Sequence, residues 1–294
     1  FILTDDHFSR AEPFYTKIFL GTEFEARKHN YYILLTTTEK NFSKKSIPRF
    51  LLEKNVDGVI LAGKVPFGLI DYIQELDLPL ILIDFLPHKG KVSAILMDNL
   101  EGAMQAVRHL IDTGHRWIAF IGGDMSHPSI RERFEGYQKA LEEAGLPFDE
   151  RLVVTDEPYP ASEEGYHATR QLLERKVPFT AVFAANDAMA IGCMRCLREH
   201  HLQIPQDVAL VGFDDVEVAT QVEPHLTTVR VDKEEMGALA VRQIVEMIQN
   251  PKKVYGNFRV PVELIVRQST LQINLNDRSG DSSRTGNAAG HSSQ

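Results

Sequence analysis

The chain has little cysteine, no long apolar run and no basic stripe, and each shortage removes a class of function. Only two cysteines, Cys193 and Cys196, occur in 294 residues. A structural zinc site needs about four ligands, and neither a second C-x-x-C nor a His-x-x-x-His supplies the rest. The pair falls well inside a predicted helix rather than at its start, so both read as packing residues of a reduced, cytoplasmic protein. No run approaches the ~20 apolar residues of a membrane span. Phe1-Ile2-Leu3 reads as a buried strand with no basic leader before it, so a further segment is expected upstream. Acidic residues outnumber basic ones, 41 to 32, for a net charge of −9. Nucleic-acid binding leans on clustered Lys and Arg. Here the longest basic patches are pairs such as Lys44-Lys45 and Lys252-Lys253, and this segment is not expected to hold DNA alone.

Catalytic signatures are missing as well. There is no G-x-G-x-x-G, Walker A loop, G-x-S-x-G or H-E-x-x-H. Asp214-Asp215 is a carboxylate pair, but neighbours at a strand end point in different directions and form no ready acid–base couple. His200-His201 reads as a helix-end pair rather than a metal site. The expectation is a protein that is not an enzyme and needs neither cofactor nor metal.

What is present is a regular alternation. With 43% hydrophobic and 25% charged residues, the chain can bury a sizeable core, and its length suggests two domains. Ile33–Leu35, Val59–Leu61, Leu80–Ile83, Ile118–Ile121, Ala181–Phe183 and Val208–Val211 each read as a strand buried on both faces. Between them lie amphipathic helices, one carrying Ala103, Ala106, Val107, Leu110 and Ile111 on a single face, another Gly237, Val241, Ile244, Val245 and Ile248. Ser129 and Glu132 have capping-box spacing, while Gly114 and Gly145 sit where helices should stop. This order predicts an α/β fold of two doubly wound parallel sheets. The stretch 276–294 is nearly devoid of apolar residues and reads as a disordered tail.

In open α/β sheets, ligands bind at the carboxyl ends of the strands. Asp84, Asn186 with Asp187, and Asp214 with Asp215 follow predicted strands there. Arg133 opens the helix after Ile118–Gly122, and Phe14 with Tyr15 opens the first helix. Each suits a cap or loop alone. Together at one edge of two sheets they could grip a polyhydroxyl ligand, with aromatic faces against its ring.

Six stretches carry a family resemblance: Val56-Asp57-Gly58-Val59-Ile60-Leu61, Leu110-Ile111-Asp112-Thr113-Gly114-His115-Arg116, Arg131-Glu132-Arg133-Phe134-Glu135-Gly136-Tyr137, Thr180–Ala190 around Asn186-Asp187, Val211-Gly212-Phe213-Asp214-Asp215, and Leu226-Thr227-Thr228-Val229. In that order, along residues 1 to about 270, the chain resembles LacI-type transcriptional regulators. The resemblance implies two Rossmann-like lobes of the periplasmic-binding-protein type, joined by three crossings near Thr113, Lys233 and Pro261. Lobe one would be 1–113 with 233–260, and lobe two 114–232 with 261–275. It also implies a homodimer and a helix-turn-helix headpiece ahead of residue 1 as the contact to operator DNA. The pocket residues it implies are Phe14, Tyr15, Asp84, Arg133, Asn186 and Asp214, with Ser129, Tyr159 and Phe183 near lining positions. Removing Arg133 is expected to abolish effector response and leave the fold intact. Three departures matter: Glu12 and Val231 stand where sugar binders carry Asn and Gln, and Phe85 replaces an Arg. An aromatic at 85 is also found in nucleobase-binding relatives. A sugar or sugar derivative is therefore the first expectation for the effector and a nucleobase or nucleoside the second. A periplasmic sugar-binding protein of a transporter is the rival of the same fold.

Overall fold

Strands buried on both faces pair in parallel when helices cover them, and in this chain they form two separate sheets. The computed structural model describes residues 1–5, 13–43, 45, 47–86, 92–251 and 255–270. Glu12, the two lysine pairs in part, residues 271–275 and the expected tail 276–294 lie outside them. Sheet one joins β1 (Ile2–Thr4), β2 (Thr36–Thr38), β3 (Val59–Ala62), β4 (Leu80–Ile83), β5 (Ser93–Met97) and β11 (Phe258–Val260), in the order β11-β5-β4-β3-β1-β2. Sheet two joins β6 (Ile118–Ile121), β7 (Val153–Val154), β8 (Ala181–Ala184), β9 (Ala209–Asp214), β10 (Thr227–Val231) and β12 (Val262–Ile265), in the order β12-β10-β9-β8-β6-β7. Among the described residues, only β10 and β12 pair antiparallel. The inner strands of both sheets are almost wholly buried, while the edge strands β2, β7, β11 and β12 are partly exposed, and the ladders close within each sheet.

Helices cover the sheets: α1 (Pro13–Lys28), α2 (Arg49–Leu52), α3 (Phe67–Glu75), α4 (Asn99–Asp112), α5 (Pro128–Glu143), α6 (Ser162–Glu174), α7 (Asp187–Glu199) and α8 (Lys233–Gln249). Helix α1 packs along α8, and α6 along α7. Both pairs meet on glycine. A Cβ on Gly21 would lie 2.0 Å from the Glu234 carbonyl oxygen, and one on Gly192 would lie 1.9 Å from that of Ser162. Backbone therefore approaches backbone at each crossing, which only glycine permits.

Three boundaries differ from the sequence reading. The run Ile33–Leu35 is not a strand. Thr36–Thr38 takes that place by pairing with Ile2–Thr4, and Leu34 and Leu35 stay exposed beside the sheet edge. The cap of α5 is His127, whose ring accepts from the Ser129 N–H; Ser129 sends its hydroxyl elsewhere, so the expected capping box does not form. Helix α4 packs on α5 and against β8, β9, β10 and β12. The first passage from sheet one to sheet two thus falls at Asp98, between β5 and α4, and not near Thr113. The other passages fall at Asp232, between β10 and α8, and at Pro261, between β11 and β12. Gly114 and Gly145 do follow helix ends, at φ of 101° and 66°, where glycine relieves left-handed strain.

Candidate ligand-binding cleft

The carboxyl ends of the two sheets face each other across a cavity of about 590 Å³, inside the range of small-molecule sites. Lobe one contributes Phe14 and Tyr15 from the first turn of α1 and Asp84 after β4. Lobe two contributes Ser129 and Arg133 from α5, Tyr159 before α6, Asn186 after β8, and Asp214 at the end of β9. These eight of the ten expected residues line the cavity.

Phe85 and Phe183 do not. The Phe85 ring lies in the apolar layer under sheet one, with Val65, Leu69 and Leu82, behind Phe67 at 5.9 Å. Phe67 takes the wall position instead. Phe183 is wholly buried within β8, one residue short of its carboxyl end, with its ring 5.6 Å from that of Phe120. Val231, the third departure, is buried in β10 and off the cavity. Residues that the sequence reading missed include Thr4, Lys40, Lys64, Phe67, Asp124 and His127.

Asp84 and Asp214 mark the two sheet ends by backbone conformation. Their φ values are 58° and 107°, and Asp215 follows at 49°. Such non-glycine left-handed conformations cost free energy and collect at functional sites. At Asp84 the carboxylate accepts from the Tyr15 hydroxyl at 2.8 Å and from the Ser129 hydroxyl at 2.5 Å. His127 lies beside it, Nε2 to Oδ2 at 3.9 Å. Burial lowers the His127 pKa, partly opposed by Asp84. Because Nδ1 accepts from the Ser129 amide, the neutral ring carries its proton on Nε2, towards Asp84.

Arg133 lines the cavity and is also tied into the structure. Its Nε donates to Asn99 at 2.9 Å, Nη1 to the Ala185 carbonyl at 2.7 Å, and Nη2 to Asp214 at 3.0 Å and the Met97 sulfur at 3.3 Å. The guanidinium stacks 3.7 Å above the Phe213 ring. Four of its five N–H groups are thereby used, leaving one for a ligand. The expectation that the fold tolerates its loss is therefore withdrawn, since Asp214 would keep a buried carboxylate without its cation. Asn186 caps α7 through the Met189 N–H and donates to the Pro160 carbonyl at 2.7 Å. One amide hydrogen and one lone pair of it remain for a ligand. Burial raises the pKa of Asp214, with Arg133 and Lys233 opposing. Lys233, the first residue of α8, donates to the carbonyls of Asp214 and of Val231.

Among the described residues, several contacts besides those of Arg133 and Lys233 bridge the lobes around the cavity. Ser129 reaches Asp84, Lys64 reaches Asp124 at 3.1 Å and also Ser126, and Lys40 reaches the Tyr159 hydroxyl at 2.8 Å. The lobes are thus drawn together. Asp215 turns the other way and pairs with Arg230 and Arg267. Cys193 and Cys196 are buried free thiols in α7. Among the described residues, no cluster of His, Cys, Asp and Glu is arranged to hold a metal ion, and no helix is long and apolar enough to cross a membrane.

A cleft between two parallel sheets, entered from their carboxyl ends and spanned by three chain passages, defines a two-lobed ligand-binding protein. Residues 107–270 match the family described as "Periplasmic binding protein-like domain". The chain is 30% identical over 264 residues to the HTH-type transcriptional repressor PurR of Pasteurella multocida, covering 89% of this chain and 78% of that protein. It is 34% identical over 244 residues to the ribose operon repressor of Escherichia coli strain K12, covering 82% and 73%. Among solved structures, the transcriptional regulator CelR–cellobiose complex superposes with a TM-score of 0.83 at 32% identity, covering 91% of this chain and 83% of that one. A LacI family regulator from Enterococcus faecium with bound ribose gives 0.80 at 26%, covering 93% and 98%. This chain belongs to the LacI-type family of transcriptional regulators, of which it forms the effector-binding part.

Proposed function

We propose that this chain binds a sugar or sugar derivative between its lobes, unchanged by chemistry, as a homodimer. Ligand-driven closure then alters how a helix-turn-helix unit, the kind named in the PurR relative, grips operator DNA. The observation that carries this reading is the division of one cavity between two lobes. Asp84 and Tyr15 come from one, and Arg133, Asn186 and Asp214 from the other, so a ligand touching both binds the closed form better and shifts the population towards it. Carboxylates, an amide and a guanidinium suit hydroxyl groups. The sequence argument for a nucleobase weakens, because Phe85 turns away from the cavity. Ser129, His127 and Asp84 share a corner, but the Ser129 hydroxyl donates directly to the carboxylate and not to the imidazole. The Ser–His–Asp order of a hydrolytic triad is therefore not formed.

A thermal-shift screen of sugars, sugar phosphates, nucleobases and nucleosides tests the reading. Binding at a hundredfold excess over Kd stabilises the folded chain by ~2.7 kcal/mol, a shift of several degrees. A sugar that raises Tm and is recovered chemically intact supports it. A response confined to nucleobases replaces the effector class, and turnover of the ligand replaces the function. For the dimer, Leu34 (49% exposed), Leu35 and Tyr32 lie bare beside β2, an edge strand of sheet one, where a second copy would cover them. Sedimentation should show a dimer that Leu34→Lys weakens.

A further inference from the structure

His127 couples the start of α5 to a contact that shuts the cleft. It caps that helix, and its Nδ1 accepts from the backbone N–H of Ser129 at 3.3 Å. Ser129 in turn sends its hydroxyl across the cavity to Asp84. The other ring nitrogen, Nε2, lies 3.9 Å from the same Asp84 carboxylate. A histidine of lobe two is thus wedged between its own helix and a carboxylate of lobe one, with only 14% of its side chain exposed.

A second proton on this ring has no favourable place in the closed cleft. It must sit on Nδ1, which then stops accepting, and the Ser129 amide loses its partner. The charge would lie at the amino end of a 16-residue helix, where the macrodipole opposes a cation. Among the described residues, Asp84 and Lys64 face the ring from lobe one, and Asp124 and Arg133 from lobe two. Lys64 is paired with Asp124 and Arg133 with Asp214, so those charges largely cancel. Asp84 attracts an imidazolium. Its oxygens, however, already accept from the hydroxyls of Tyr15 and Ser129 and stand beyond hydrogen-bond reach of Nε2. Burial therefore outweighs that attraction and holds the ring neutral, its pKa below the ordinary 6.5. With the lobes apart the ring meets water, and the cause of that lowering is gone.

We infer that His127 is a proton-operated latch: neutral, it lets the lobes shut over it; charged, it gives up the Ser129 amide and must be hydrated, so that acid opens the cleft. The inference rests on the lobe motion proposed above and not on the class of effector. Its sign follows from linkage. The closed form binds fewer protons at this ring than the open form, so closure releases a proton. Well above pH 6.5 the balance between closed and open is unaffected. Below it the balance shifts towards open, by at most about tenfold per pH unit.

Small-angle scattering of this chain from pH 7.5 to pH 5 tests the latch, with the His127 ring followed by NMR in the same buffers. Its resonance is identified by its absence from His127→Asn. The parent's radius of gyration should rise on acidification, with a midpoint below pH 6.5 that coincides with the titration of His127. His127→Asn keeps a capping oxygen for the Ser129 amide and removes the titrating ring. It should keep one radius across the whole range, and His127→Gln, with the same groups on a longer stem, should do the same. A radius that stays flat in the parent overturns the latch. An equal rise in both variants also overturns it, by assigning the opening to another group. A radius that falls with acid overturns its sign, since Asp84 would then be drawing the imidazolium in. In each of these cases the thermal-shift screen still decides the effector reading.

Discussion

Ser129, on α5 of lobe two, donates its hydroxyl to the carboxylate of Asp84, after β4 of lobe one, at 2.5 Å. Both residues are almost fully buried, so this bond forms only when the cleft is shut. Hydrogen bonds to a charged group contribute ~1.5–3 kcal/mol. Ser129→Ala should therefore open the ligand-free chain, seen as a larger radius of gyration by small-angle scattering, and weaken effector binding by about tenfold or more. An unchanged radius would show that Lys64–Asp124 and Lys40–Tyr159 suffice to hold the lobes.

Arg133→Ala should destabilise the chain by ~3–5 kcal/mol, because it leaves Asp214 buried without its partner. Chemical denaturation measures this directly. Adding Asp214→Asn to the alanine variant should restore part of the loss, since the stranded charge is gone. A single variant as stable as the parent would mean that Asp214 is protonated or solvated in the folded state.

Asp187, the first residue of α7, is fully buried, accepting from Thr228 at 2.5 Å and from the Val216 N–H at 2.9 Å. Burial, reinforced by Asp214, pushes its pKa up from 3.8 to about 8. The folded state then holds a proton that the unfolded state releases, so this carboxyl lowers stability as pH rises from about 4 to about 8. Asp187→Asn keeps both hydrogen bonds, with its amide donating to Thr228, and removes the proton linkage. The difference in stability between variant and parent should grow with pH by at most about 1.4 kcal/mol per unit. Melting curves from pH 5 to 9 read it, and parallel profiles would place Asp187 in the ordinary carboxylate range.

Lys233 ties the start of α8 to the turn that presents Asp214, through the carbonyls of Asp214 and Val231. Burial lowers its pKa, opposed by Asp214 and its neighbours. Lys233→Met keeps the stem and deletes the ammonium. It should weaken effector binding about tenfold by freeing that turn, with a smaller change in Tm. Loss of stability without loss of affinity would assign Lys233 to the passage alone.

Much of the fold and of the cleft is legible in the sequence, for physical reasons that differ by residue. Asp84, Asn186 and Asp214 stood out because polar residues follow continuous apolar runs, and strand ends have nowhere else to point. Phe183 misled because β8 is buried on both faces, so alternation gives no side. Phe85 misled because the left-handed turn at Asp84 sends the next side chain under the sheet, and no sequence pattern announces such a turn. Lys40, Lys64 and Asp124 looked like loop charges, since only the meeting of two lobes brings them to one cavity. The placement of α4 was hidden for a related reason: its apolar face fits either sheet, and Asp98 reads as an ordinary cap.

That cap has a mechanical meaning. Asp98 accepts from the Glu101 N–H, and Asp232, at the second passage, accepts from that of Glu235. Their backbones are nearly alike, φ −84° and ψ 73° against φ −77° and ψ 85°. Each passage is one residue long and ends at once in a helix, and Pro261 makes the third as short. Three short ligaments side by side act as a door hinge, holding the halves at fixed separation and leaving one angle to vary. On the function proposed above, whatever fills the cleft would be translated into that single angle, so the residues that choose the ligand could change while the motion stayed the same.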